Sequence, residues 1–135
     1  MTRTGRCQCG GFRMVVSVEP AMVNMCHCTE CQRRSGVPVT VNAYFPEGGV
    51  RFEGEYTTYS RAAPEGRKLH NYFCPTCGAT VGWRADLRPG LVAVAVGAFN
   101  DKSFPAPSVS IWEDSKHDWV EPPAGVVHFP QARSS

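Results

Sequence analysis

The chain predicts a mainly β domain with little helix, assembled around zinc. Three observations carry this: apolar and polar residues that alternate, turn clusters that punctuate the alternation, and seven cysteines in three tight groups. Phe12, Met14, Val16 and Val18 alternate with Arg13, Val15, Ser17 and Glu19, the period-two pattern of a strand with one mainly apolar face. Further strands are expected at Val37–Phe45, Val50–Glu55, Leu69–Phe73, Ala79–Arg84, Leu91–Phe99 and Val109–Trp112. The run Leu91-Val92-Ala93-Val94-Ala95-Val96 is apolar on both faces, which suits a central, buried strand. Pro46-Glu47-Gly48-Gly49, Ala63-Pro64-Glu65-Gly66 and Arg88-Pro89-Gly90 supply the turns between runs. One or two helical turns fit Thr29–Ser35, stopped by Gly36.

At 135 residues the chain is most simply one domain. No linker or internal repeat divides it. We expect the domain to occupy residues 1–121, with residues 122–135 forming a Pro-, Gly- and Ser-containing tail that wraps the surface or frays. About two-thirds of the unfolded surface can be buried at this size, so the core is adequate but not generous. Bound zinc would add to it, because binding free energy becomes folding free energy when only the folded chain forms the site.

The cysteines read Cys7-Gln8-Cys9-Gly10, then Cys26-His27-Cys28-Thr29-Glu30-Cys31, then Cys74-Pro75-Thr76-Cys77-Gly78. Spacing this close lets two thiolates from one turn grip one metal ion. Cys7, Cys9, Cys74 and Cys77 supply the four sulfurs of a closed, structural zinc site. Cys26, Cys28 and Cys31 supply only three, which leaves the fourth position of a second zinc to a substrate, the pattern of catalytic zinc. His27 is the competing fourth ligand. An extended Cys26-His27-Cys28 segment, however, sends its imidazole to the face opposite both sulfurs and makes it a packing or supporting group.

Disulfides are the other use of clustered cysteines. Seven is odd, and Met1-Thr2-Arg3-Thr4-Gly5-Arg6 has no apolar run of the secretory kind. No stretch approaches the roughly 20 apolar residues that span a bilayer. A cytoplasmic protein with reduced thiols is the expectation, and there such clusters mean metal or redox. A redox Cys74-Pro75-Thr76-Cys77 would want a βαβ context, which is not visible. Seven thiolates and two zinc dications take the formal charge from +2 to about −1, which argues against nucleic acid as a partner.

Taken together, these segments resemble the glutathione-dependent formaldehyde-activating enzyme family, also described as the centromere-protein-V or Mss4-like zinc family. The matching segments are Cys7–Gly11, Cys26–Gly36 and Phe73–Gly78, with Ser110–Trp119 similar to the family's C-terminal part. The resemblance implies an Mss4-like β-tent of antiparallel sheets and two zinc ions per chain, the second labile. It also implies a carbon–sulfur lyase that binds glutathione and forms or cleaves S-hydroxymethylglutathione from formaldehyde.

Within that expectation Cys26, Cys28 and Cys31 are the reaction centre. Arg33 and Arg34 are candidates for glutathione's carboxylates, with Arg61 and Lys68 behind them. His27 is the proton donor suggested by position, His70 and His117 by composition alone. A different class of function is a non-catalytic binding module that presents Tyr44, Phe45, Tyr56 and Tyr59 on a zinc-stiffened scaffold; a lyase for another thiol adduct is a third reading.

Overall fold

A computed structural model describes residues 2–133. Two sheets enclose one core. The smaller has three antiparallel strands, β1 (Arg3–Arg6), β2 (Phe12–Val16) and β5 (Val50–Gly54), with β2 in the middle. The larger has eight strands in the order β11-β10-β3-β4-β9-β8-β7-β6. Their ranges are β3 Met22–Cys26, β4 Thr40–Pro46, β6 Thr57–Ala62, β7 Lys68–Phe73, β8 Thr80–Ala85, β9 Leu91–Ala95, β10 Val109–Ile111 and β11 Val127–His128. One α-helix, α1, is present among the described residues and covers Thr29–Ser35.

The expected alternation in β2 is what joins the sheets. Phe12, Met14 and Val16 are fully buried while Arg13 faces out. They pack against Val23, Ala43, Phe45, Val81, Val92 and Val94 of the large sheet. Each such side chain contributes on the order of 1.5–3 kcal/mol on burial. The apolar run at Leu91–Val96 is central, as its sequence requires: β9 lies between β4 and β8, with Val92, Ala93 and Val94 all buried. It is shorter than expected, because Val96–Phe99 turns into a 3-10 segment.

Pairing register fixes which residues share a face. Met22, Tyr44, Ala93, Trp83, Asn71 and Tyr59 are successive partners across β3, β4, β9, β8, β7 and β6. Their neighbours in each strand point the opposite way, and in β3, β4 and β9 these are the core residues Val23, Ala43, Phe45, Val92 and Val94. The row from Met22 to Tyr59 therefore lies on the outer face of the large sheet, and α1 packs on that face, with Arg34 of the helix over the ring of Trp83. The helix begins at Cys28, whose sulfur accepts from the Cys31 amide, and ends at Gly36, which donates to the Gln32 carbonyl.

Not every pairing is antiparallel. β10 runs parallel to both β3 and β11. Parallel neighbours need a long crossover, and the chain from β4 to β9 supplies it between β3 and β10. The segment following residue 122 lies along this edge: Val127 donates to Ser108, Phe129 to Ser110, and Trp112 to Gln131. Ser134 and Ser135, at the end of the expected tail, lie outside the described residues. Among the described residues no helix is long and apolar enough to cross a membrane.

Candidate metal centres and the adjoining cleft

The first cysteine group sits between β1 and β2, and the third between β7 and β8. Each forms a tight turn closed on its first cysteine: Gly10 donates to the Cys7 carbonyl at 3.2 Å and Gly78 to the Cys74 carbonyl at 2.9 Å. Both turns require positive φ, 85° at Gly10 and 78° at Gly78, which glycine adopts without strain. The turns face each other, so the four sulfurs lie within 4.8 Å of one another. Cys7 and Cys9 are 3.7 Å apart, and Cys9 and Cys74 are 3.6 Å apart. Zinc at about 2.3 Å from each of four sulfurs needs separations of roughly 3.8 Å, so the cage fits the ion. A disulfide needs about 2.05 Å, and all seven cysteines are free.

Backbone amides are aimed at these sulfurs. Phe12 donates to Cys7 at 3.2 Å, Gly11 to Cys9 at 3.4 Å and Thr76 to Cys74 at 3.4 Å. Such donors favour thiolates over thiols. The Ala79 amide is the main influence drawing the Cys77 thiol down to about 6. At Cys9 the Gly11 amide acts the same way, but the sulfurs of Cys74 and Cys7 outweigh it and hold the thiol at about 11. Four adjacent sulfurs cannot all ionise unless a cation sits among them, which is the donor chemistry of a metal cage.

The second group is built where β3 ends and α1 begins. Cys26 is the last residue of β3, Cys28 caps the helix, and Cys31 lies in its first turn. Their sulfurs also lie within 4.8 Å of one another, with Cys26 and Cys31 at 3.3 Å. Hydrogen bonds from Cys26 and Cys31 pull Cys28 down to about 2, while Cys28 and Cys31, with burial, push Cys26 up. The Arg61 charge also favours the Cys28 thiolate, and Arg34 acts likewise on Cys31. Among the described residues no histidine nitrogen or carboxylate joins the three sulfurs within 4.8 Å. The three thiols fit a dication that retains one free position.

His27 is turned away from them. It is fully buried, with Nε2 at 2.9 Å from Ser110 Oγ on β10. Gln32 Nε2 donates to the His27 carbonyl at 2.8 Å. Burial lowers the imidazole pKa, more than the nearby Glu113 carboxylate raises it. His70 bonds Ser60 and Asp86, and His117 reaches Gln32 Oε1 at 3.0 Å. Phe45 is core, and Tyr56 stacks on Phe12 at 5.1 Å.

Beside the three sulfurs lies a cleft of about 230 Å³. Glu30, Cys31, Arg33 and Arg34 of α1 form one wall; Tyr59 and Arg61 of β6 and Leu69 and Asn71 of β7 form the other. Arg33 is exposed and paired with Glu30 at 3.0 Å. Arg34 lies 4.0 Å from the centroid of the Trp83 ring. Lys68, an expected carboxylate partner, is not in the lining. Asn71, Tyr59 and Leu69 are in it; the sequence offers Tyr59 only as an exposed aromatic and Leu69 and Asn71 only as part of a strand, and none of them as cleft residues. Tyr44, which lies in an expected strand and is offered as a presented aromatic only in the binding-module reading, is raised to about 12 by burial and by the charges of Cys26 and Cys31.

The model of the glutathione-dependent formaldehyde-activating enzyme family matches residues 2–115. The chain belongs to this family. A Halomonas elongata protein named "Putative glutathione-dependent formaldehyde-activating enzyme" is 31% identical over 129 residues, covering 90% of this chain and 81% of that protein. The fold of this family member is also similar to a Rhodobacter sphaeroides crystal structure. That match has a TM-score of 0.59 at 20% identity and covers 93% of this chain and 98% of the other. It bears on the fold alone.

Proposed function

We propose that the chain is a zinc-dependent carbon–sulfur lyase that joins formaldehyde to glutathione, or releases it from S-hydroxymethylglutathione. The observation that carries this reading is a three-sulfur group with no fourth protein ligand among the described residues, beside a cleft lined by Arg33, Arg34 and Arg61 and one carboxylate, Glu30. Membership of the formaldehyde-activating family and the name of the Halomonas relative support the choice of thiol and aldehyde.

Cys7, Cys9, Cys74 and Cys77 would hold the structural ion, and Cys26, Cys28 and Cys31 the second. An ion in the second position supplies Lewis acidity and keeps an incoming thiol ionised near neutral pH. The chain's own residues orient the reactants. The cap on α1 fixes Cys28 and Cys31 relative to each other, and β3 fixes Cys26. Arg33 and Arg34 face the cleft, where they can take glutathione's carboxylates. The glutathione sulfur adds to the carbonyl carbon of formaldehyde, the C=O π pair becomes an alkoxide, and one proton completes the hydroxymethyl group. Holding both reactants in one cleft is the main source of acceleration in this scheme. His27 serves as a support for the Cys26–Cys28 segment through Ser110. Seven unbridged thiols suit a reducing cytoplasm, and the near-neutral charge suits small-molecule partners in place of nucleic acid.

The test is exchange NMR on glutathione with formaldehyde, using protein of measured zinc content. Faster interconversion of free and hydroxymethylated glutathione is expected with protein and lost in Cys28→Ser. Unchanged exchange with two zinc ions bound would reject this substrate pair.

A further inference from the structure

The carboxamide of Gln32 is engaged at both ends. Its Nε2 donates to the His27 carbonyl at 2.8 Å and to the Ser115 carbonyl at 3.3 Å, and its Oε1 lies 3.0 Å from His117 Nε2. The two carbonyls can only accept, so they fix which end of the amide is nitrogen. The oxygen must then accept, and His117 carries its proton on Nε2. One side chain of α1 thereby joins two segments distant in sequence: the strand-to-helix turn that carries Cys26 and Cys28, and the chain beyond β10.

His27, between two of the three sulfur ligands, is pinned through its backbone. Its N–H donates to the Ile111 carbonyl on β10 at 3.1 Å, and Gln32 takes its own carbonyl. These contacts fix the peptide planes on either side of His27, and so the directions in which Cys26 and Cys28 leave the chain. Cys31, the residue before Gln32, carries the third sulfur on the same helix.

The far end of this tie is strained. Trp112 joins β10 to the turn that brings Ser115 and His117 to Gln32. Its backbone sits at φ 60° and ψ 41°, in the left-handed region that a bulky side chain seldom adopts. The conformation is held by its N–H on the Gln131 carbonyl at 3.0 Å and by its carbonyl on the Ser115 N–H at 3.1 Å. Such strain persists where surrounding contacts over-determine it, and it gathers at functional sites. Here it adjoins the three-cysteine group, since Ile111, the residue before Trp112, is the register partner of Cys26.

We propose that Gln32 is a positioning residue for the three-cysteine metal group: it holds the Cys26–Cys28 turn in its ligating shape through the His27 carbonyl, with Ser115 and His117 as its anchor. The proposal rests on the reading of Cys26, Cys28 and Cys31 as ligands of a second ion and adds a partner outside them. Contacts that orient ligands carry roughly 10–100-fold in metal affinity. Because Gln32 reaches the backbone of His27, its effect is separate from the imidazole–Ser110 contact.

Competition with a chromophoric chelator, on protein loaded with two equivalents of zinc, measures both sites, and Cys28→Ser identifies the signal of the second. Cobalt-loaded protein adds a visible spectrum that reports donor geometry. Gln32→Leu removes the amide and keeps a good helix former. In it, second-site affinity is expected to fall at least about tenfold and the cobalt spectrum of that site to shift, with the four-sulfur site within about twofold of wild type. His117→Leu is expected to act in the same direction, and His117→Gln, which restores an N–H donor, to recover wild-type affinity to within about twofold. Second-site affinity and cobalt spectrum unchanged in Gln32→Leu would overturn the proposal. Equal losses at both sites with a lowered melting temperature overturn it as well, as a general loss of structure. Wild-type protein that binds only one zinc equivalent would reject the parent reading and this one together.

Discussion

The imidazole of His27 lies 2.9 Å from the hydroxyl of Ser110, 83 residues further along the chain and on a parallel strand. This contact places the histidine between the three-cysteine group and the β10 edge, facing away from the sulfurs. His27→Gln should then keep both zinc ions and retain the exchange reaction, while losing about 1–3 kcal/mol of stability from a broken buried hydrogen bond. Zinc analysis and thermal melting on one sample check it. Loss of one zinc equivalent would make His27 a ligand.

Cys77→Ser removes one corner of the cage that ties the β1–β2 turn to the β7–β8 turn. Loss of that zinc should lower the melting temperature by more than about 10 °C and abolish the structural equivalent of metal. Native-like melting would remove the structural role from Cys7, Cys9, Cys74 and Cys77.

Cys28→Ser should behave differently, because its ligand group lies on the outer face of the large sheet and not between the sheets. One zinc equivalent and the exchange reaction are lost, while the melting temperature stays within about 3 °C of wild type. A variant that unfolds wholesale would contradict an open, reactive site.

Chelation should follow the same division. A three-ligand ion with an exchangeable position is removed before a four-ligand ion. Titration with a chelator is expected to strip one equivalent with far-UV circular dichroism unchanged, then the second with unfolding. Simultaneous loss of both ions with the fold would show that the two sites are not independent.

Asp86 gives a pH prediction free of metal. Its carboxylate accepts from the Lys68 amide at 2.8 Å and from His70 at 3.1 Å, and these contacts, the amide first, lower its pKa below the ordinary 3.8. A lowered acid pKa contributes stability that is complete above the unfolded value and disappears as pH falls through the folded one. Between about pH 5 and pH 2, wild type should lose stability more steeply than Asp86→Asn. Parallel acid-unfolding curves would show the contacts to be without effect.

Much of this arrangement is legible in local sequence because its signals are local. Cysteine spacing identifies both sulfur groups, and Thr29–Ser35 with Gly36 identifies the helix that separates Cys28 from Cys31. β2 and β9 are evident because burial on one face or both leaves a period. β1 and β6 escape notice because edge strands such as Arg3–Arg6 and Thr57–Ala62 are polar, and β3 because Met22–Cys26 is buried on both faces and merges into the cysteines. The cleft is invisible for a different reason. Asn71, Tyr59 and Arg61 meet Arg34 only through strand register and helix placement, and nothing within a few residues of any of them records that meeting.

The separation of 65 positions from Cys9 to Cys74 also sets a clock. On a ribosome working at 5–20 residues per second, the first pair of sulfurs waits about 3–13 s for the second pair to be made. The three outer-face sulfurs, confined to six consecutive positions, emerge almost together. A nascent chain can thus complete the reactive ligand group before the cage that secures the fold. On the proposed zinc reading, metal supply during synthesis would then bear on which of the two is filled first, and a chain that met scarce metal would be expected to fail at the four-sulfur cage.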